Sequence, residues 1–431
     1  MSPEVVGLIG VIVLVALVFF RVWVGIAMSL VGIIGFAILA NWEQARYIAA
    51  TEPFVNVSVY TLTALPLFIL MGTVASHTGI SADLYNTAYK WLGRARGGLA
   101  MATVAACGAF AAICGSSTAT AATMGKVAYP EMKKHGYDTN MASGVIAAGG
   151  TIGILIPPSM GFILYGLLAE QSIGQLFMAG IIPGILQVVF YIFTVYIICK
   201  INPRLAPQGE GTSFRDKFVS LKDTWPMLCL FLLVMGGIYR GVFTPTEAGA
   251  IGAFGSIVIC VVAGKFNWEN IAGSFRETAQ VTAMIVLMMA GAYMFNRFIA
   301  ISQMPFMLSS FLSGLAVSKY VILLYIIILY LILGCFLDIF ACIILTVPII
   351  LPTILSLGFN PIWFGVLMVR MMEIGQISPP WGLNCFVLSS TINVPIGKVF
   401  RGVIPFIISD FAHVALLVAV PSLALYLPQN M

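Results

Sequence analysis

Residues 150–159 read Gly150-Thr151-Ile152-Gly153-Ile154-Leu155-Ile156-Pro157-Pro158-Ser159, and residues 372–381 read Met372-Glu373-Ile374-Gly375-Gln376-Ile377-Ser378-Pro379-Pro380-Trp381. Both carry Ile-Gly-x-x-x-Pro-Pro at a constant offset of 222, inside long apolar runs. Working outward, residues 130–183 align on 352–405 without a gap, with nine identities. These are Pro130/Pro352, Gly136/Gly358, Ile152/Ile374, Gly153/Gly375, Pro157/Pro379, Pro158/Pro380, Gly180/Gly402, Ile182/Ile404 and Pro183/Pro405. Seven of the nine are Gly or Pro, the residues that interrupt helices. The halves therefore share the positions of their breaks.

Hydrophobic residues make up 60% of the chain, charged residues 9%, and the mean hydropathy is +1.04. A soluble domain carries about 25% charged residues, so the composition implies an integral membrane protein. The net charge of +5 matters less than where its basic residues fall. The first apolar stretch has no basic leader and no small-residue cleavage site, and reads as a span. All eight cysteines lie in or beside apolar segments with no metal-type spacing, which predicts neither disulfide nor zinc. Interrupted apolar segments at matching places in two halves point to the binding site of a secondary transporter.

Spans of roughly 20 apolar residues fall near 5–20, 22–40, 59–77, 138–169, 177–199, 225–239, 245–264, 281–299, 359–391 and 405–427. Runs 138–169 and 359–391 are too long for one straight helix and read as half-helices around each Pro-Pro. Two further regions, about 97–129 and 319–351, are interrupted at Gly115-Ser116-Ser117-Thr118 and at Asp338. They read as re-entrant hairpins, since irregular backbone at membrane depth survives only against protein or a cavity. Stretches 80–92 and 268–279 have helical apolar spacing with an edge Trp and read as interfacial helices.

The fold expected is an all-α membrane protein with inverted repeats at 1–222 and 223–431, each having five crossings and one hairpin. Five is odd, so the halves are inverted. With both termini outside, sixteen basic residues from Arg21 to Arg401 fall on the cytoplasmic side. Arg46, Arg240, Arg297 and Lys319 fall outside and Arg370 lies within a span. This asymmetry sets the orientation. The first hairpin then opens from the cytoplasm and the second from the far side.

The tip Gly115-Ser116-Ser117-Thr118 offers carbonyls and hydroxyls that can replace the hydration shell of Na⁺, or merely bond within the turn. The broken helix Gly149–Ser159 downstream favours the ion. Asp338 stands where a charge costs about 2.5–3.5 kcal/mol on insertion scales; it can ligate Na⁺, carry a proton or cap a half-helix. Its partner element is Gly375-Gln376-Ile377-Ser378-Pro379-Pro380, with Asn384 beyond. Arg370 and Glu373 either pair across three residues, or Arg370 faces a cavity as counter-charge for an anion. Glu247, after Thr244-Pro245-Thr246, fits a helix N-terminus, and His77 and His413 read as packing or interfacial. No zinc-protease, nucleophile-elbow or Walker A motif is present, so the chain by itself is not a primary pump.

The Gly-Ser-Ser-Thr tip, the run Gly150–Ser159, Thr244-Pro245-Thr246-Glu247-Ala248 and Ile377-Ser378-Pro379-Pro380 together resemble the large membrane subunit of TRAP transporters, across essentially the whole chain. The resemblance implies a sodium-driven elevator in a bacterial or archaeal inner membrane, with Na⁺ as coupling ion and no other cofactor. It also implies a separate small four-helix (Q) subunit and a periplasmic binding protein (P subunit) that delivers a small organic anion; no nucleic acid is involved. By carry-over, one Na⁺ site lies between Gly115–Thr118 and the break holding Gly149, Gly153 and Pro157. Its counterpart lies between Asp338 and Gly375, Ser378 and Pro379. Substrate binds between the tips, with Ser116, Ser159 and Asn384 as contacts and Arg370 and Glu373 tuning the choice. Two Na⁺ entering down 100 mV supply nearly 5 kcal/mol, at about 2.3 each.

Two rivals differ in class. A stand-alone ion-coupled anion carrier needs no binding protein. An intramembrane aspartyl protease needs Asp338 and Asp410 to face each other. A channel needs a continuous polar pore, which the paired breaks argue against, and a structural scaffold has no use for costly broken helices.

Overall fold

A computed structural model describes residues 2–207, 213–314 and 317–431. The described residues form helices without strands. In chain order the first five are α1 (Pro3–Phe19), α2 (Val24–Leu39), α3 (Trp42–Val57), α4 (Ala64–His77) and α5 (Ile80–Leu92). A helix pair follows, α6 (Gly98–Cys114) and α7 (Ser117–Lys134). Next is a broken helix, α8 (Thr139–Thr151) and α9 (Met160–Leu168), and then α10 (Ile173–Ile201).

The second half begins with α11 (Phe214–Tyr239), α12 (Pro245–Val262), α13 (Trp268–Ile301) and α14 (Met304–Gly314). The pair α15 (Lys319–Phe336) and α16 (Ile339–Ser356) precedes the broken helix α17 (Pro361–Ile377) and α18 (Leu383–Ile392). The chain closes with α19 (Ile396–Ala419) and α20 (Ser422–Gln429). The order pair, broken helix, long helix thus occurs twice. Seven helices among the described residues are long and apolar enough to cross a membrane.

Local chemistry sets these boundaries. Both broken helices begin alike: Gly136 and Gly358 adopt left-handed φ of 75° and 74°. Two residues later, Asp138 caps α8 by accepting from Asn140 N and Met141 N. Asn360, at the same offset of 222, caps α17 by accepting from Ile362 N and Trp363 N. Each cap satisfies amide groups that a helix start leaves unbonded. Thr244 and Glu247 close a reciprocal capping box on α12, so Glu247 is a helix-start residue. Both prolyl pairs, Pro157-Pro158 and Pro379-Pro380, are cis.

Two expectations change. The stretch 268–279 is not a separate interfacial helix but the opening of α13, a continuous helix of 34 residues. Asn267 caps its start and no helix breaker separates it from the apolar run behind. Helices α3 and α14 are additional to the expected spans.

The helices sort into two packed groups. One is built from α1–α4 and α11–α13, with α13 against α2, α3 and α4, and α12 against α4. The other is built from α6–α10 and α15–α20, with α19 on α8, α7 on α8 and α15 on α17. Glycine lets backbones touch within the second group, where Gly144 of α8 meets Gly402 of α19. The groups meet along α4 on α6 and α13 on α16, and α5 and α14 bridge them, α5 lying between α6 and α11 and α14 between α16 and α1.

Candidate functional site

The turn between α6 and α7 is made by Gly115, in the left-handed region at φ 62°. A Cβ there would stand 2.5 Å from Pro158 O, so the turn lies directly on the first break. A Cβ on Gly153 would lie 2.7 Å from Ser116 O. Ser116 caps α7, its Oγ accepting from Ala119 N at 3.4 Å, while Thr120 Oγ1 donates to Ser116 O at 2.7 Å.

The second pair repeats the arrangement. A Cβ on Gly375 would lie 2.6 Å from Gly334 C and 2.8 Å from Cys335 N, placing α17 against the end of α15. Asp338 caps α16, its Oδ1 accepting from Phe340 N at 2.9 Å and Ala341 N at 3.0 Å. Ser116 and Asp338 stand 222 residues apart, so the repeat extends to both turns. The halves meet where Ser117 Oγ donates to Gln376 Oε1 at 3.4 Å.

A cavity of about 400 Å³ opens beside these turns, between the two helix groups. Ser116 and Thr118 of α7, Met160 of α9 and Phe340 of α16 line one wall; Thr73 and Ser76 of α4 and Glu277 of α13 line the other. An adjoining cavity of about 310 Å³ is lined by Asp338, Trp23 and Met288, and Met284 borders both. Concave spaces of this size, mostly apolar with a few convergent polar groups, suit small ligands.

The expected site residues divide. Ser116, Thr118 and Asp338 reach cavities. Ser117 and Gly115 sit at the first turn, and Gly153 packs on it. Pro157 lies in the fully buried first break, whereas Pro379 is exposed. Gly149 faces Cys107. Ser378 Oγ donates to Ile374 O at 2.7 Å, and Ser159 caps α9 by accepting from Phe162 N at 3.3 Å. Asn384 is fully buried and lines neither cavity.

Arg370 makes its hydrogen-bonded ion pair with Asp410 and has Glu373 as a charged neighbour. It is fully buried; one Nη donates to Asp410 of α19, and Nε donates to His413 Nδ1 at 3.2 Å. A guanidinium in a dry interior needs a carboxylate at hand, and Asp410 supplies it. Glu373 lies near this pair and near Ser117, with both carboxylate oxygens lacking a hydrogen-bond partner. Arg370 is therefore no cavity counter-charge, and His413 is more than packing. Asp410 is committed to Arg370 while Asp338 caps α16, so the two aspartates do not form a catalytic pair.

The sequence reading missed this cluster and its neighbour, in which Thr151 Oγ1 and Tyr191 Oη lie 2.9 Å apart and Gln187 Nε2 donates to both. The available signal was helical: Asp410 and His413 share one face at three-residue spacing within an apolar span.

The family described as the tripartite ATP-independent periplasmic transporter, DctM component, matches residues 11–423. The chain is 35% identical to the C4-dicarboxylate TRAP transporter large permease DctM of Pseudomonas aeruginosa, covering 86% of each chain. It is 32% identical to the sialic acid TRAP transporter large permease SiaM of Vibrio cholerae, covering 92% of each. It is also 34% identical to the isethionate TRAP transporter permease DctMQ of Oleidesulfovibrio alaskensis, over 86% of this chain and 59% of that one. The crystal structure of the YdaH transporter of Alcanivorax borkumensis has a similar fold, with a TM-score of 0.64 at 16% identity, covering 88% of this chain and 89% of that one. The duplicated breaks, the turns packed upon them and this family match agree: the chain belongs to the large permease (DctM) family of TRAP transporters.

Proposed function

We propose that the protein drives uptake of a small organic acid (a dicarboxylate, sialic acid, a keto acid or a sulfonate) on a sodium gradient, as a multi-pass protein of the bacterial inner membrane. Its partners are a small four-helix membrane subunit and a periplasmic binding protein that delivers the acid. The observation that carries this reading is the convergence of two capped turns, each on its own broken helix, beside a cavity between two packed helix groups.

The oxygens at each turn fit a hard monovalent cation. The first turn offers Ser116 O and the hydroxyls of Ser117 and Thr118, and the second offers the Asp338 carboxylate beside Gly375. The group containing both turns, α6–α10 with α15–α20, carries substrate, and α1–α4 with α11–α13 is the frame it moves against. The helix pairs are re-entrant, the repeats are inverted, and both termini are periplasmic. The 400 Å³ cavity is lined by the C-terminal half of α4 and the N-terminal part of α13, and the proposed orientation puts both toward the cytoplasm.

The test is thermal unfolding of the purified protein in NaCl against choline chloride at matched ionic strength. At a hundredfold excess over its dissociation constant, a bound ion stabilises by about 2.7 kcal/mol. Sodium-specific stabilisation that shrinks in Ser117→Ala and in Asp338→Asn is the expected result. Equal stability in both salts contradicts the reading.

A further inference from the structure

The charge of the cavity walls narrows the substrate. Among its described lining residues, the cavity beside Ser116 and Thr118 contains no lysine or arginine, and its one charged residue is Glu277. His77 Nε2 lies 2.7 Å from Glu277 Oε2 and fixes that carboxylate's position. The adjoining cavity adds another acid, Asp338, and again no basic side chain. The guanidinium expected to face the substrate, Arg370, is spent on Asp410 in the packed interior. What the walls do offer is hydroxyls, from Ser116 and Thr118, 3.3 Å apart, and from Ser76 and Thr73, which bond to Thr123 and to Leu70 O and must turn from those partners to meet a ligand, beside apolar surface from Met160, Met284 and Phe340.

We propose that the cavity takes an organic monoanion, one carboxylate or sulfonate on an uncharged body, and that Glu277 disfavours a ligand with a second negative charge. This rests on the cavity being the substrate site proposed above. The hydroxyls receive one anionic end, and the apolar wall accepts a body that brings no further charge. A second carboxylate placed about 8 Å from Glu277, at an effective dielectric of about 20, is disfavoured roughly thirtyfold. Glu277 is 46% exposed and paired with His77, so screening and the imidazole lower this to about tenfold at most.

The experiment uses the full chain in nanodiscs and reads each acid's dissociation constant from the rise of melting temperature with its concentration, in NaCl and in choline chloride. The probes are two matched pairs: 2-oxopentanoate against 2-oxoglutarate, and butyrate against succinate. Each pair keeps the carbon count and exchanges a methyl for a carboxylate. The expected result is a dissociation constant about tenfold lower for the monoanion, with the gap narrowing to about threefold or less in Glu277→Gln. Glu277 is half-exposed, so that variant is expected to keep its fold, and its melting temperature without acid checks this.

Equal or tighter binding of the dianions in the parent protein overturns the inference, as does a gap that Glu277→Gln leaves unchanged. A dianion that stabilises only in sodium overturns the inference and leaves the sodium-coupled carrier standing. A monoanion preference that ignores sodium supports the inference and removes the sodium coupling. No stabilisation by any of the four acids overturns the inference, while stabilisation by sodium alone is judged separately.

Discussion

Arg370 shows how the interior of this protein handles a charge. Its ion pair with Asp410 joins α17 to α19 with both side chains fully buried. Breaking a buried pair leaves an uncompensated charge and costs about 3–5 kcal/mol. Arg370→Met and Asp410→Asn should each lower stability by that order in denaturation of the purified protein. The double replacement Arg370→Met with Asp410→Leu should recover most of the loss, because apolar side chains can replace a buried pair at little cost. If the double variant is as unstable as the sum of the singles, the pair is not what holds these residues. The sequence could not show this pairing, since the two lie forty positions apart on different helices. The offset of 222 could have linked Ser116 with Asp338, because both cap the second helix of their pair. With only one polar residue preserved in kind at such turns, identity alone misses the match.

At the scale of the element, the breaks and their entry turns were legible and the continuous helices less so. Gly-Pro punctuation has local causes, so residues 138–169 and 359–391 could be divided from sequence. The run 268–301 has no such punctuation, and its helix simply continues from a polar amphipathic start into an apolar span. Helix α3 escaped notice because it is polar for a membrane helix and contains Pro53.

The caps give an element-scale test. Removing the side chain at Asp138 or Asn360 should cost about 1 kcal/mol each, the usual worth of an N-cap. The two costs should be similar, because each side chain accepts from two amides at the same place in its repeat. Thermal unfolding of Asp138→Ala and Asn360→Ala checks this, and a loss confined to one repeat contradicts the equivalence. At the first turn, Gly115→Ala meets both a left-handed backbone and Pro158 O at 2.5 Å. It should therefore destabilise more than Gly358→Ala, where the same φ region has nothing within 4 Å.

For the whole molecule, the division into two helix groups is a packing fact that follows from which faces are apolar and where glycine admits close contact. The proposed function requires the groups to move. Ser76 of α4 and Thr123 of α7 face each other across the boundary, 3.0 Å apart at their hydroxyls. Cysteines at both positions should cross-link under oxidation and stop transport reversibly; a linked protein that still transports contradicts relative motion at this contact. Composition made the membrane class readable, and the shared Gly and Pro positions made the two helix breaks readable. The cavity was not readable, because its walls come from α4, α7, α9, α13 and α16, which only the packing brings together.

The central claim is tested most directly by uptake of labelled organic acids into proteoliposomes holding this chain and its small membrane partner. Uptake is measured with and without an inward sodium gradient, and with and without the binding protein. Accumulation is expected only when both are present. Sodium-driven accumulation without the binding protein would contradict it and identify a carrier that works alone; accumulation indifferent to sodium would contradict the coupling itself.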